Sequence, residues 1–202
     1  MTIIIRLLPA LLLAGVLSAQ TTAYEFRTVL RPGMNIGGHV FTADTIGNAA
    51  ISDTGEVAFI ARWPEGNQNH AAVFSLHRLV ASEGDVIDGQ TVAYIPLYSK
   101  LSINGSGTVA YEAFCVFSED LHLFIERHHI LAPSDNPDFR LSDEGQIIIG
   151  PPLVACESSK CSALPMLPHN KRGQVVIALN TAQGPFLLVG TPTGKGHHAK
   201  TR

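Results

Sequence analysis

At 202 residues, with 15% charged side chains and a formal net charge of -3, the chain lacks the basic surplus that nucleic acid or an anionic membrane surface demands. Its 46% apolar content suits a globular domain, while 18 glycines and 12 prolines punctuate the sequence too often for long helices.

Met1 to Ala19 carries an early positive charge at Arg6, an apolar run from Leu7 to Leu17, and small residues at Ser18 and Ala19. That order predicts a secretory signal peptide over residues 1–19, since the run is shorter than the roughly 20 apolar residues of a membrane span. The expected location is therefore secreted or periplasmic, in a bacterial setting, with no membrane attachment after cleavage. Residues 24–192 are expected to form one β-repeat domain. The stretch 193–202, ending Gly196-His197-His198-Ala199-Lys200-Thr201-Arg202, reads as a disordered basic tail.

Within the domain, Ser52-Asp53-Thr54-Gly55-Glu56-Val57-Ala58-Phe59 is followed by Asn104-Gly105-Ser106-Gly107-Thr108-Val109-Ala110-Tyr111. Fainter copies run from Ser142-Asp143-Glu144-Gly145 into Ile147-Ile148-Ile149, and from Asn170-Lys171-Arg172-Gly173 into Val175-Val176-Ile177. Each opens on a turn-forming polar residue, places a glycine where positive φ is needed, and then turns apolar. This is the pattern of a hairpin whose second strand is buried. Asp53, Gly55, Asn104, Gly107, Asp143, Gly145, Asn170 and Gly173 are the expected turn residues.

The similarity extends beyond the turns. Val29 to Gly38 aligns with Val80 to Gly89, and Phe74 to Val80 aligns with Phe124 to Ile130. A unit of roughly fifty residues is therefore duplicated, within the span of blades or solenoid turns. Strands are expected at Ala49 to Ser52, Glu56 to Arg62, His70 to Leu76 and Arg78 to Glu83. Their counterparts are Lys100 to Ile103, Thr108 to Phe117, His122 to Glu126 and His129 to Ala132. Val57 to Ala61 is apolar at every position, so both faces of that strand need covering. The expected fold is all-β, with tandem hairpins forming a small or partial β-propeller; a β-sandwich is the alternative.

The residues Gly55, Ala58 and Phe59, then Asn104, Gly107, Ala110 and Tyr111, with the linker Glu83-Gly84-Asp85, resemble bacterial secreted choice-of-anchor tandem-repeat proteins carrying an N-x-x-G-x-x-A-F repeat. The later copies depart, with Ile148-Ile149 and Val176-Ile177 in place of the Ala-aromatic pair. The resemblance implies a repeat-built extracytoplasmic protein of uncharacterised function, and it supplies no catalytic residues.

The rest of the chemistry is sparse. Gly190 to Gly196 has one residue too few for a phosphate loop and lacks the Ser/Thr after lysine, and no G-x-S-x-G elbow exists. Adjacent His128 and His129 point to opposite faces of a strand, so no metal or cofactor is expected. Of three cysteines, Cys156 and Cys161 flank a polar loop and are expected to form a disulfide, while Cys115 sits in an apolar run as a buried thiol.

Asp85, Asp88, Asp135 and Asp138 lie in equivalent linkers as candidate contacts. Calcium binding by them is weighed against solvated turns. Two functions remain: a non-catalytic binding or structural module for an extracellular protein or glycan, or a small polysaccharide hydrolase using those linker carboxylates.

Overall fold

A computed structural model describes residues 24–36, 39–65, 68–131, 139–149 and 170–193. In chain order the strands are Tyr24–Leu30 (β1), Asn35–Ile36 (β2), His39–Val40 (β3), Thr45–Ile51 (β4), Val57–Glu65 (β5), Gln68–Ser75 (β6), Leu79–Ser82 (β7), Val86–Ile87 (β8), Gln90–Tyr94 (β9), Leu101–Ile103 (β10), Val109–Cys115 (β11), Leu121–Ile125 (β12), His128–Leu131 (β13), Phe139–Leu141 (β14), Ile147–Ile149 (β15), Val175–Thr181 (β16) and Gly184–Pro192 (β17). No helix occurs among the described residues, and the protein is all-β. The signal-peptide residues, Asp135, Asp138, Cys156, Cys161 and the tail from residue 194 lie outside the described residues.

The first sheet runs β4-β5-β6-β7, and the second joins β10, β11, β12 and β13 in the same antiparallel way. A third holds β14 and β15. The fourth has the order β1-β17-β16, so a strand from the start of the described chain pairs with the last one. Strands β1, β2, β3, β8, β9 and β17 have no counterpart among the strands expected from sequence. β9 meets β11 at Phe114 and Cys115, beyond the stretch that β10 covers.

Register ties three of these sheets together. Phe59 opposes Phe74 across β5 and β6, Tyr111 opposes Phe124 across β11 and β12, and Ile177 opposes Leu188 across β16 and β17. On the next strand out, the ladder skips one residue each time: Val80 in β7, Ile130 in β13 and Val29 in β1. A bulge of this kind adds local twist.

The linkers match as well. Gly33 N donates to Phe41 O and Phe41 N returns to Met34 O, as Gly84 N donates to Val92 O and Val92 N returns to Asp85 O. Gly33 and Gly84 both sit at positive φ, 82° and 90°.

Val57 to Ala61 is buried throughout because its two faces enter different cores. Ala58 and Ile60 share one core with Tyr111, Ala113 and Phe124 of the second sheet. Val57, Phe59 and Ala61 share the other with Val176, Leu187 and Val189 of the fourth. Successive side chains of a strand point to opposite faces, so alternate positions sort into these two layers.

Small residues on one sheet thus meet rings from the next. Tyr111 and Phe124 stack at 5.3 Å and 12°, and Phe59 and Phe74 at 5.4 Å and 15°. Each such pair contributes about 0.5–1.5 kcal/mol beyond its buried area.

Candidate functional site: a cleft between four hairpin turns

The turns after β4, β10 and β14 and the turn before β16 share one construction. Ser52 N donates to Glu56 O and Gly55 N to Ser52 O; Asn104 with Thr108 and Gly107, Ser142 with Gln146 and Gly145, and Asn170 with Gln174 and Gly173 make the same pair of bonds. The glycine takes positive φ in all four: 96° at Gly55, 83° at Gly107, 80° at Gly145 and 71° at Gly173. This is the three-residue hairpin loop in which a left-handed residue closes a bulge.

The opening side chain braces each loop from within. Ser52 Oγ accepts from Glu56 N, and Ser142 Oγ accepts from Gln146 N. Asn104 Oδ1 accepts from Ser106 N and Thr108 N, and Asn170 Oδ1 accepts from Arg172 N and Gln174 N. Asn has an amide to spare after such a cap, whereas Ser does not.

That spare amide links the turns in pairs. Asn170 Nδ2 donates to Ser52 O at 2.7 Å, while Asp53 Oδ1 accepts from Lys171 N at 2.8 Å. Asn104 Nδ2 donates to Ser142 O at 3.1 Å, while Asp143 Oδ1 accepts from Gly105 N at 3.0 Å. Each pair joins an Asn turn to a Ser-Asp turn through the same two bonds. Thr54 Oγ1 then donates to Gly105 O, connecting one pair to the other. A Cβ at Gly105 would press on Asp143 Oδ1 and Thr54 Cγ2 at 3.0 and 3.2 Å, so those two side chains would have to shift by a few tenths of an ångström.

All four turns line a single cleft of about 530 Å³. Ile51, Ile103, Leu141 and Ile148 supply aliphatic surface, and Asp53, Asn104, Arg140, Ser142, Asp143, Glu144, Asn170 and Lys171 supply polar groups. Lys171 Nζ stands 2.6 Å from Asp53 Oδ2, and this hydrogen bond holds the Asp53 carboxyl below the usual carboxylate range. Arg140 and Glu144 are exposed. The cleft therefore offers fixed donors and acceptors of both signs above an apolar floor, the composition that orients a polar ligand of modest size.

Every turn residue singled out from sequence is at this cleft or in the turns that frame it. The pairing between turns was not foreseen, nor were Arg140, Glu144 and Lys171. The alternation of Asn and Ser at the first turn position is the signal that carried it.

The linker carboxylates go elsewhere. Asp85 Oδ2 accepts from Ser82 N at 3.1 Å and from Arg127 Nη1 at 2.9 Å. Asp88 Oδ2 accepts from His129 N at 3.0 Å and faces His128 Nδ1 at 3.5 Å. Both carboxylates tie the linker between the first two sheets to the β12–β13 hairpin. Beside them, Glu83 bridges Ala71 N and Ile95 N.

Cys115 is a free, buried thiol, and burial pushes its pKa up. His128 and His129 face different partners, and His129 meets His122 across β12 and β13, with Nε2 2.9 Å from His122 Nδ1. The hairpin register makes this contact readable afterwards: His129 opposes Phe124, and His122 is the diagonal neighbour on the same face. Among the described residues no group of three or more His, Cys, Asp or Glu side chains is placed to hold a metal ion.

Compared with family models, with curated proteins and with solved structures, the chain gives no match.

Proposed function

We propose that this chain is an exported binding module, built from tandem hairpin units as a small four-bladed β-propeller, that holds a glycan, without reacting with it, in the cleft between its four turns. The observation that carries the reading is the cleft itself: four turns with the same bonds, drawn from distant parts of the sequence, line one space. Propeller architecture accounts for sheets covered on both faces, and for β1 completing the sheet of β16 and β17. Export rests on the apolar leader at residues 1–19 and agrees with the resemblance to secreted N-x-x-G-x-x-A-F repeat proteins.

A glycan suits the cleft better than an extended protein surface does, since hydroxyl groups match closely spaced donors and acceptors while sugar C–H faces rest on Ile51, Ile103 and Ile148. The turn side chains are largely committed to one another, which makes a rigid frame, and Arg140 and Glu144 are the exposed groups left to select the ligand. The polysaccharide-hydrolase alternative asks for free linker carboxylates, whereas Asp85 and Asp88 are engaged by Arg127, Ser82 and His129.

The test is an immobilised glycan panel probed with the intact protein and with an Arg140→Ala, Glu144→Ala double variant. Capture of a defined glycan, lost in the double variant at an unchanged melting temperature, supports the reading. No glycan captured, or capture indifferent to both substitutions, overturns it. Release of new reducing ends that disappears in Asp85→Ala would establish the hydrolase instead.

A further inference from the structure

Three side chains of the second sheet, none of them at the cleft, stand in hydrogen-bond series. Ser118 Oγ lies 2.8 Å from His122 Nε2, and His122 Nδ1 lies 2.9 Å from His129 Nε2. His122 is buried on β12, His129 is half-buried on β13, and Ser118 is half-buried in the turn between β11 and β12. We propose that Ser118 is a nucleophile, His122 its general base and His129 the acceptor that orients the base, and that together they hydrolyse esters carrying a compact apolar acyl group.

This goes beyond the cleft reading, uses none of the cleft residues and leaves the cleft a site of binding alone. A hydroxyl within hydrogen-bond reach of an imidazole that is itself held by a third group is the arrangement that activates serine.

Two directions of proton placement satisfy the series, and nucleophilic chemistry uses one of them. If His122 donated to Ser118, the hydroxyl proton would be left to Asp120 O, 3.4 Å away. With the hydroxyl donating to His122 at 2.8 Å, His122 carries its proton on Nδ1 and gives it to the lone pair of His129 Nε2. That placement leaves His122 Nε2 ready to take a proton. Burial, reinforced by His129, lowers the His122 pKa, so the ring is a neutral base near neutral pH.

The turn adds two features. Asp120 N–H stands 3.2 Å from Ser118 Oγ and fixes the place of that oxygen in the turn. Phe117, immediately before Ser118, is fully exposed and holds a positive φ of 65°, with Val116 also exposed beside it. A bulky residue rarely adopts that φ, and the strained turn presents an apolar ring next to the nucleophile. Those side chains would receive the acyl group.

In the reaction Ser118 Oγ bonds to the ester carbonyl carbon as its proton passes to His122 Nε2. That proton then goes to the departing oxygen, which leaves as the alcohol. Water attacks the acyl-serine, gives a proton to the same nitrogen, and releases the carboxylic acid as Ser118 Oγ regains a proton from His122. Only the ester and water are consumed.

The experiment treats the intact protein near neutral pH with a fluorophosphonate probe and with p-nitrophenyl butyrate. The expected result is a single phosphonyl adduct, mapped to Ser118 by peptide mass spectrometry, and ester turnover that falls at least about 100-fold in Ser118→Ala and in His122→Gln. As a positioning residue, His129 separates by chemistry: His129→Phe keeps a ring but removes the acceptor and lowers kcat at least about tenfold with KM unchanged, while His129→Gln restores an acceptor and most of the rate. Wild-type protein that melts cooperatively yet takes no adduct at Ser118 overturns the proposal. So does labelling undiminished in folded His122→Gln.

Discussion

Asn170 reaches across 118 residues of sequence to donate its side-chain amide to the Ser52 carbonyl, 2.7 Å away. Asn104 makes the same bond to Ser142 at 3.1 Å. Hairpin tips ordinarily present their polar groups to water; here Asn170, Asn104 and Ser52 are buried at the tips and bonded to other tips. The four turns are thereby part of the interior bonding of the fold.

Removing that amide should therefore be costly. Asn170→Ala deletes the bonds to Ser52 and Gln174 Oε1 and both internal acceptor bonds, leaving buried and part-buried main-chain groups unmatched at about 1–3 kcal/mol each. The expected loss is at least about 3 kcal/mol in urea unfolding, with Asn104→Ala similar. Asn170→Asp keeps the internal acceptor and loses the donations to Ser52 O and Gln174 Oε1, so it should fall between wild type and alanine. Indistinguishable curves for Asn170→Ala and wild type would remove the turn-to-turn bond from the account.

Two glycines should fail for different reasons. A Cβ on Gly107 would meet nothing within 4 Å, so Gly107→Ala costs about 1 kcal/mol through its φ of 83° alone. A Cβ on Gly47 in β4 would overlap the Leu97 main chain, whose carbonyl accepts from Asn48 N at 2.6 Å. Gly47→Ala should cost more than about 3 kcal/mol, because backbone has no rotamer by which to give way. Calorimetric melting of the two variants compares them directly, and the reverse order would show that β4 is not held against Leu97.

The pairing of β1 with β17 can be locked. Thr28 and Leu188 are direct partners across β1 and β17, so a Thr28→Cys, Leu188→Cys pair should oxidise spontaneously. The loop closed is most of the described chain, and the chain-entropy account gives about 5 kcal/mol of stabilisation for so long a loop. Non-reducing mass analysis and paired melts, oxidised against reduced, read both results. Cysteines that stay reduced under mild oxidant would mean that β1 does not hold this register in solution.

Acid should weaken the fold through two groups acting in one direction. His122 is neutral when folded, its pKa lowered by burial and then by His129, with only Asp120 acting the other way. The unfolded chain therefore binds the proton first, and stability is full above the unfolded value near 6.5 and declines as pH falls through the interval below it. Asp53, lowered by Lys171, contributes stability above 3.8 that is lost as pH falls through its folded pKa. Melting temperature followed between neutral and weakly acidic pH should drop in wild type and stay flatter in His122→Phe. Parallel profiles would exclude His122 as the titrating group.

Local chemistry is what the sequence by itself determined. A polar opener followed three residues later by glycine fixes a hairpin with a left-handed corner, and Gly55, Gly107, Gly145 and Gly173 all adopt it. The unbroken apolar run Val57 to Ala61 requires cover on both faces, and both are covered. These outcomes depend on φ preferences and on the period of a strand, which operate over a few residues and are written into a few residues.

What only the tertiary structure decided is which surfaces meet. Nothing near Asn170 states that its spare amide finds Ser52, and nothing in Tyr24 to Leu30 states that it pairs with Gly184 to Pro192. Asp85 and Asp88, free acids when read along the chain, are claimed by Arg127 and His129 of a hairpin forty residues on. Such contacts follow from how the sheets pack side by side, a long-range arrangement in which a donor's partner is set by proximity in space and leaves no mark on its neighbours in sequence.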